Sequence, residues 1–150
     1  MFNDLIRLFA NPDADHNLDG DDARTAVAAL LVAAARADDT YDAEEAAAIT
    51  RVLSRHFSID TQAAEQLKRD GEAAFEQAAD IVRFTRAIKR VVPVEERVRV
   101  IEAIWEVAYS DGARDDEENA IVRKLCGLLY VEDRDAGLAR QRVQARLGLS

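Results

Sequence analysis

Carboxylate side chains are concentrated in two short windows of this sequence, residues 38–45 (DDTYDAEE) and residues 111–118 (DGARDDEE), which lie 73 positions apart. Together the windows hold ten acids and one base, whereas the rest of the chain holds 19 acids and 19 bases, so the formal net charge of −9 resides in them. Oxygen ligands without Cys or His nearby suit Ca²⁺ or Mg²⁺ rather than zinc or copper. The sequence therefore predicts binding of a divalent cation.

The predicted metal ligands are six acids that recur at matching positions of the two windows: Asp38, Asp42, Glu45, Asp111, Asp115 and Glu118. The last two acids of each set also fit an interpretation without metal, because an Asp three positions before a Glu has the spacing of a helix capping box. Asp38 and Asp111 do not fit it, since they follow a predicted helix, at the end where the helix dipole disfavours an acid. These two residues carry the prediction of function.

A third interpretation is that the acidic turns dock a basic protein partner, or a second copy of the chain, without metal. The isoelectric point near 4.7 argues against nucleic acid and anionic lipid, because both require a basic surface. Arg86, on a basic helix face, is either a solvated residue or an internal counter-charge to an acidic turn. Cation binding and metal-free docking therefore remain as alternatives.

Residues that could catalyse a reaction are few. The sequence has two His and one Cys, and it contains no Glu-x-x-His pair, phosphate-binding loop or Gly-rich dinucleotide turn. We expect His56 to be a surface or packing residue, and Cys126, which lies on an apolar stripe, to be buried in the core. The single Cys excludes an internal disulfide. The sequence thus predicts a protein that is not an enzyme.

Helices are the elements that must position the acidic turns. Apolar residues recur at helical spacing and no stretch alternates with period two, which predicts an all-α fold of about seven helices. The first apolar stripe comprises Val27, Leu30, Leu31 and Ala34. The residues predicted to cap or begin later helices are either Thr61 or Asp60 for the third, then Asp80, Pro93 and Asp133. The residues predicted to face outward from the last helix are Arg140, Arg142 and Arg146.

The 73-residue offset continues on both sides of the windows, where Leu31 corresponds to Ile104 and Ile49 to Val122. Each half therefore reads as a helix, an acidic turn and a second helix, and two such hairpins predict a pseudo-two-fold bundle. We expect residues 23–150 to form this helical domain. Residues 1–22 are predicted to be a short amphipathic helix followed by a polar loop.

The N-terminal segment holds a calcium-like motif. Residues 15–20 (DHNLDG) match the first six positions of an EF-hand loop, but the twelfth position is Ala26 instead of a bidentate Glu, so a polar linker is the alternative. Residues 2–10 are expected to pack on the domain, the alternative being contact with a membrane surface or a partner. The segment does not resemble a signal peptide, and no apolar run is long enough to span a bilayer. We therefore expect a cytoplasmic protein.

The segments FTRAI (84–88), EERVRVIEAIWEVAYSDGARDDEE (95–118) and ALLVAAARADDTYDAEE (29–45) resemble the tellurite-resistance protein B (TerB)-like family, and most closely its stand-alone bacterial branch. The resemblance covers roughly residues 23–148. It implies an all-helical bundle in the cytoplasm, a role in tellurite or stress resistance without established catalysis, and acids at the six positions named above that bind divalent cations. Asp39 replaces the Gly that is usual in the first turn of the family, which implies a different shape for that turn.

Overall fold

The computed structural model describes residues 23–38, 41–110 and 116–148; for Asp38 and residues 116–119 it describes the backbone alone. The helices are α1 (Ala23–Ala35), α2 (Ala43–Phe57), α3 (Thr61–Gln77), α4 (Ile81–Val91), α5 (Val98–Ala108), α6 (Asp116–Leu129) and α7 (Asp133–Arg146). Two 3₁₀ helices, η1 (Arg36–Asp38) and η2 (Val94–Glu96), follow α1 and precede α5. These ranges contain no strand, and the all-α prediction is confirmed.

Helix α1 lies at the centre of the bundle, where it packs against α2, α3, α4, α5 and α6. Twelve of its thirteen residues are buried, and Arg24 is only partly exposed. The sequence predicted a single apolar face here. The structure buries every side, because a helix that is apolar all round is stable only when other helices surround it.

Helices α1 and α3 approach each other closely where Gly71 of α3 faces the backbone of α1. A Cβ atom placed on Gly71 would lie 2.6 Å from the Cβ atom of Ala28, 2.8 Å from its carbonyl carbon and 2.8 Å from the nitrogen of Ala29. Small residues on both helices therefore allow the two backbones to touch.

Two of the predicted caps are confirmed. Asp60 accepts a hydrogen bond from the N–H of Ala63 at 2.7 Å, and Asp80 accepts one from the N–H of Arg83 at 3.2 Å. Pro93 was predicted to begin a helix, which is wrong, since it precedes the 3₁₀ helix η2 and α5 begins only at Val98. The hydrogen bonds of Asp60 and Asp80 fix the first turns of α3 and α4.

Helices α2 and α6 end in the same way, with a residue in the left-handed region: Ser58 has φ 52° and Tyr130 has φ 58°. In each case the following N–H bonds to a carbonyl five positions earlier, Ile59 to Ser54 at 3.1 Å and Val131 to Cys126 at 2.9 Å. This is the Schellman pattern, in which Gly usually holds the left-handed position.

The two Schellman ends lie 72 positions apart, whereas the first residues of α2 and α6 lie 73 apart, because α6 is one residue shorter. The prediction that Asp133 caps the last helix is therefore wrong. The N-cap position is held by Glu132, whose side chain makes no capping hydrogen bond. The pseudo-two-fold arrangement of the halves stays a prediction.

The two-part division of the chain also stays a prediction. The short N-terminal helix and the calcium-like loop at residues 15–20 lie outside the described residues. Within the described ranges, no helix has the length and apolar character needed to cross a membrane.

Candidate functional site

The first acidic turn is a helix N-terminus with a complete capping box. Asp42 is the N-cap of α2, and its Oδ1 accepts a hydrogen bond from the N–H of Glu45 at 2.8 Å. Glu45 returns the interaction by accepting from the N–H of Asp42 at 3.4 Å. Asp42 is exposed, whereas Glu45 is only 5% exposed. The capping interpretation of this pair is confirmed, and it commits Glu45 to a structural role.

The side chains of Arg36 and Tyr41 attach the same turn to α3. The phenol of Tyr41 donates to Oε2 of Glu72, and the guanidinium of Arg36 lies 5.0 Å from the centre of the Tyr41 ring. Arg36 also lies 5.7 Å from the Phe75 ring and bonds to Glu76 at 3.3 Å. Burial and the hydrogen bond to Glu72 raise the pKa of Tyr41, so the phenol keeps its proton. The turn is therefore held on both sides of its undescribed residues, 39 and 40.

Of the other predicted ligands, Asp38 and Glu118 have a described backbone but no described side chain. Asp38 is the last residue of η1, directly after α1, which is where the sequence placed it. Asp111 and Asp115 lie outside the described residues, as does Asp39. Among the described residues, no group of three His, Cys, Asp or Glu could hold a metal ion. The structure thus describes the side chains of two of the six predicted ligands, Asp42 and Glu45.

A buried charge cluster, which the sequence did not predict, joins α2, α5 and α7. The carboxylate of Glu106 on α5, whose side chain is 4% exposed, bonds to Arg55 of α2 and to Arg146 of α7. Nε2 of His56 lies 3.8 Å from the same carboxylate. One turn earlier on α5, Glu102 bonds to Arg142 at 2.9 Å and to Arg146 at 3.5 Å. The sequence does contain a signal for this cluster, because Glu102 and Glu106 lie four positions apart and so on one face of an apolar helix.

Arg140, Arg142 and Arg146 of α7 contact α5, while Arg142 and Arg146 remain exposed as predicted and Arg140 is partly exposed. Arg142 and Arg146 hold the two glutamates of α5, and the guanidinium of Arg140 lies 5.1 Å from the Trp105 ring and donates to the hydroxyl of Tyr109 at 2.8 Å. Long basic side chains with apolar stems can cover a helix while they pair with its acids. Arg86 is also exposed, on α4.

The side chain of His56 is largely buried, 13% exposed, in positive surroundings. Burial, followed by the guanidiniums of Arg55, Arg146 and Arg99, lowers its pKa from 6.5 to about 4. The carboxylate of Glu106 attracts a proton to this ring, but two guanidiniums already neutralise that carboxylate. Of the two placements predicted for His56, on the surface or in packing, the structure shows packing, and near neutral pH the imidazole is uncharged.

We expect His56 to make stability depend on pH in a defined window. The unfolded chain protonates this ring below pH 6.5, while the folded chain resists until about pH 4, so this contribution is complete above 6.5 and is lost as the pH falls towards 4. His56→Gln should reduce the loss in free energy of unfolding between pH 6.5 and pH 4 by up to about 3 kcal/mol, since one pKa unit corresponds to about 1.4 kcal/mol.

Urea unfolding of both proteins at several pH values measures this effect. The carboxylates common to both proteins titrate alike, so only the difference between their slopes is attributed to His56. Parallel pH profiles for the wild type and the variant would contradict the prediction.

Cys126 is buried in α6, as predicted, and burial raises the pKa of its thiol to about 11, with a smaller contribution from Asp133. A thiol in this state reacts slowly, because the thiolate is the nucleophile.

Comparison with known proteins identifies a family. A family model described as tellurite resistance protein TerB matches residues 24–141 of the chain. Searches of curated proteins and of solved structures found no match. The matched range runs from the start of α1 into α7, so it includes the first acidic turn, the Glu106 cluster and the second acidic window.

Proposed function

The chain belongs to the TerB family and is a helical domain of the tellurite-resistance type, and we propose that it is a non-catalytic module that binds Ca²⁺ or Mg²⁺ through its two acidic turns. The proposed setting is a bacterial stress or tellurite-resistance system in the cytoplasm. Asp38 and Asp111 are the principal ligands in this proposal, with Asp42 and Asp115 beside them. Glu45 and Glu118 position the turns as capping residues.

The observation that carries the proposal is the construction of the first turn. The capping box fixes the backbone of Asp42 while its side chain remains exposed. Tyr41 and Arg36 attach the turn to α3. A carboxylate that is fixed before the cation arrives loses little conformational freedom on binding, which favours affinity.

The position of Asp38 supports the proposal from a different direction. It ends the 3₁₀ helix that follows α1, where the partial charge of the helix terminus is negative and disfavours an acid. A bound divalent cation would offset this unfavourable arrangement, because it attracts both the carboxylate and the carbonyl groups of the helix end. A cap needs no acid at this position.

We expect Ca²⁺ or Mg²⁺ to raise the thermal midpoint of chelator-treated protein. A ligand that binds only the folded state stabilises it by about 2.7 kcal/mol at a hundredfold excess over its Kd. Asp38→Asn combined with Asp111→Asn should abolish the rise. The matched control, Glu132→Gln with Asp135→Asn, removes two negative charges outside the turns and should retain it.

Scanning calorimetry or thermal circular dichroism with and without metal measures the shift. No shift of the wild type at millimolar metal, or an equal shift in the Asp38→Asn/Asp111→Asn variant, would overturn cation binding at the turns.

The second candidate function is docking of a basic partner, or of a second copy, without metal. It is favoured by the capping box, which explains Asp42 and Glu45 with no ligand at all. In that case the same double substitution weakens a salt-sensitive complex. Stability in the absence of a partner would be unchanged or improved, because the substitution removes acids from helix ends that disfavour them.

A further inference from the structure

An open groove of about 410 Å³ lies between η2, the turn that joins α6 to α7, and α7 itself. Apolar side chains of Val94, Tyr130 and Leu138 line it, with three carboxylates among the remaining lining residues. The groove shares no residue with the acidic windows. From its composition we propose that it docks a basic amphipathic helix of a protein partner, at a site separate from the acidic turns and independent of the cation.

The groove collects most of the exposed large apolar side chains. Among the described residues five such side chains are exposed, and Val94 (48%), Tyr130 (66%) and Leu138 (43%) are the three that line it. Single exposed apolar residues are ordinary on a protein surface, but clustered ones mark interaction sites. The burial of these three side chains would supply the apolar part of a contact.

Tyr130 occupies its position at a conformational cost. Its φ of 58° lies in the left-handed region at the end of α6, where Gly is the usual residue. The ring projects into solvent and lies 4.7 Å from Nζ of Lys89. An aromatic residue that is strained and exposed at once contributes little to the core. Such a residue is typical of a binding surface, where aromatic side chains supply much of the affinity.

The charges of the groove select the partner. Glu95, Glu132 and Asp135 supply three negative charges to the lining. The one base in the lining, Arg142, is paired with Glu102 at 2.9 Å, and Lys89 lies beside the groove against the Tyr130 ring. An apolar floor with an acidic rim fits a segment that alternates apolar and basic residues, as amphipathic helices that bind in grooves do. The same three carboxylates repel an anionic membrane surface and a nucleic acid backbone.

The test uses the whole chain in the presence of excess chelator, so that its result is independent of cation binding. The probe is a designed helical peptide with Leu at i, i+4 and i+7 and Lys at the solvent-facing positions. Its control is the same peptide with Glu in place of Lys. We expect the basic peptide to bind in a salt-sensitive manner and the acidic peptide not to bind, as measured by calorimetry with chemical-shift mapping.

The decisive variant is Tyr130→Gly, which relieves the left-handed strain and so retains or raises the thermal midpoint. This variant should bind the basic peptide at least about tenfold more weakly, as loss of an aromatic anchor does. Glu132→Gln with Asp135→Asn should weaken binding and reduce its salt dependence. The control Val82→Ser removes an apolar side chain that is 43% exposed outside the groove and should leave binding unchanged.

Equal binding of the basic peptide by the wild type and by Tyr130→Gly would overturn the proposal. Chemical-shift changes that map away from α7 and η2, or failure of the wild type to bind the basic peptide, would overturn it as well. None of these results would alter the outcome of the cation titration, which depends on different residues.

Discussion

Glu106→Ala is expected to lower the free energy of unfolding by about 2 kcal/mol, because hydrogen bonds to a charged group contribute about 1.5–3 kcal/mol. The Glu106 side chain is 4% exposed and joins two helices through Arg55 and Arg146. Its removal leaves both guanidiniums without their shared carboxylate, and burial and the charge of Arg146 already lower the pKa of Arg55. The loss stays below that of a fully buried ion pair because both arginines are exposed, 52% and 41%, and can turn towards water.

Urea unfolding of Glu106→Ala measures this loss, with Glu102→Gln as the matched control. Glu102 lies on the same helix and also contacts Arg146, but its side chain is 13% exposed, against 4% for Glu106. We expect its more hydrated pairs to contribute at most about 1 kcal/mol. Equal destabilisation by the two substitutions would contradict the structural role assigned to Glu106.

Gly71→Ala is expected to destabilise the protein by about 2 kcal/mol, although Ala is the better helix former by about 1 kcal/mol. The added methyl group would lie 2.6–2.8 Å from atoms of Ala28 and Ala29, two of which belong to the backbone of α1. The backbone of a central helix moves only if the helices packed around it move, so overpacking should outweigh the gain in propensity.

The matched control for this prediction is Gly137→Ala. Gly137 lies within α7, is exposed, and has no atom within 4 Å of its projected Cβ. The same substitution there should stabilise the protein by about 0.5–1 kcal/mol, since only propensity changes. Thermal unfolding of the two variants should therefore show shifts of opposite sign. A rise in stability for Gly71→Ala would mean that α1 and α3 are not in close contact.

Features that depend on neighbours in the chain could be predicted from the sequence. The spacing of Asp42 and Glu45 predicted a capping box, and Asp60 and Asp80 were correctly assigned as caps. Each of these residues bonds to a backbone N–H three positions away, so a short stretch of sequence contains the whole interaction. The buried Cys126 followed from helical periodicity in the same way.

Features that depend on distant parts of the chain were missed. Glu106 reads as an exposed acid until α2 and α7 bring Arg55 and Arg146 to it, residues that are 51 and 40 positions away. The register after α6 also escaped prediction, because the repeat offset changes from 73 to 72 where that helix is one residue shorter. Asp133 was therefore chosen as the cap instead of Glu132. The exposed ring of Tyr130 depends on a backbone conformation that its residue type does not favour.

Calorimetric titration of Ca²⁺, and separately of Mg²⁺, into the chelator-treated chain tests cation binding by the acidic turns most directly. We predict saturable binding by the wild type and by the Glu132→Gln/Asp135→Asn control, and its loss in Asp38→Asn/Asp111→Asn. If the wild type binds neither Ca²⁺ nor Mg²⁺, or if the Asp38→Asn/Asp111→Asn variant binds with unchanged affinity, the proposal of cation binding by the acidic turns is contradicted.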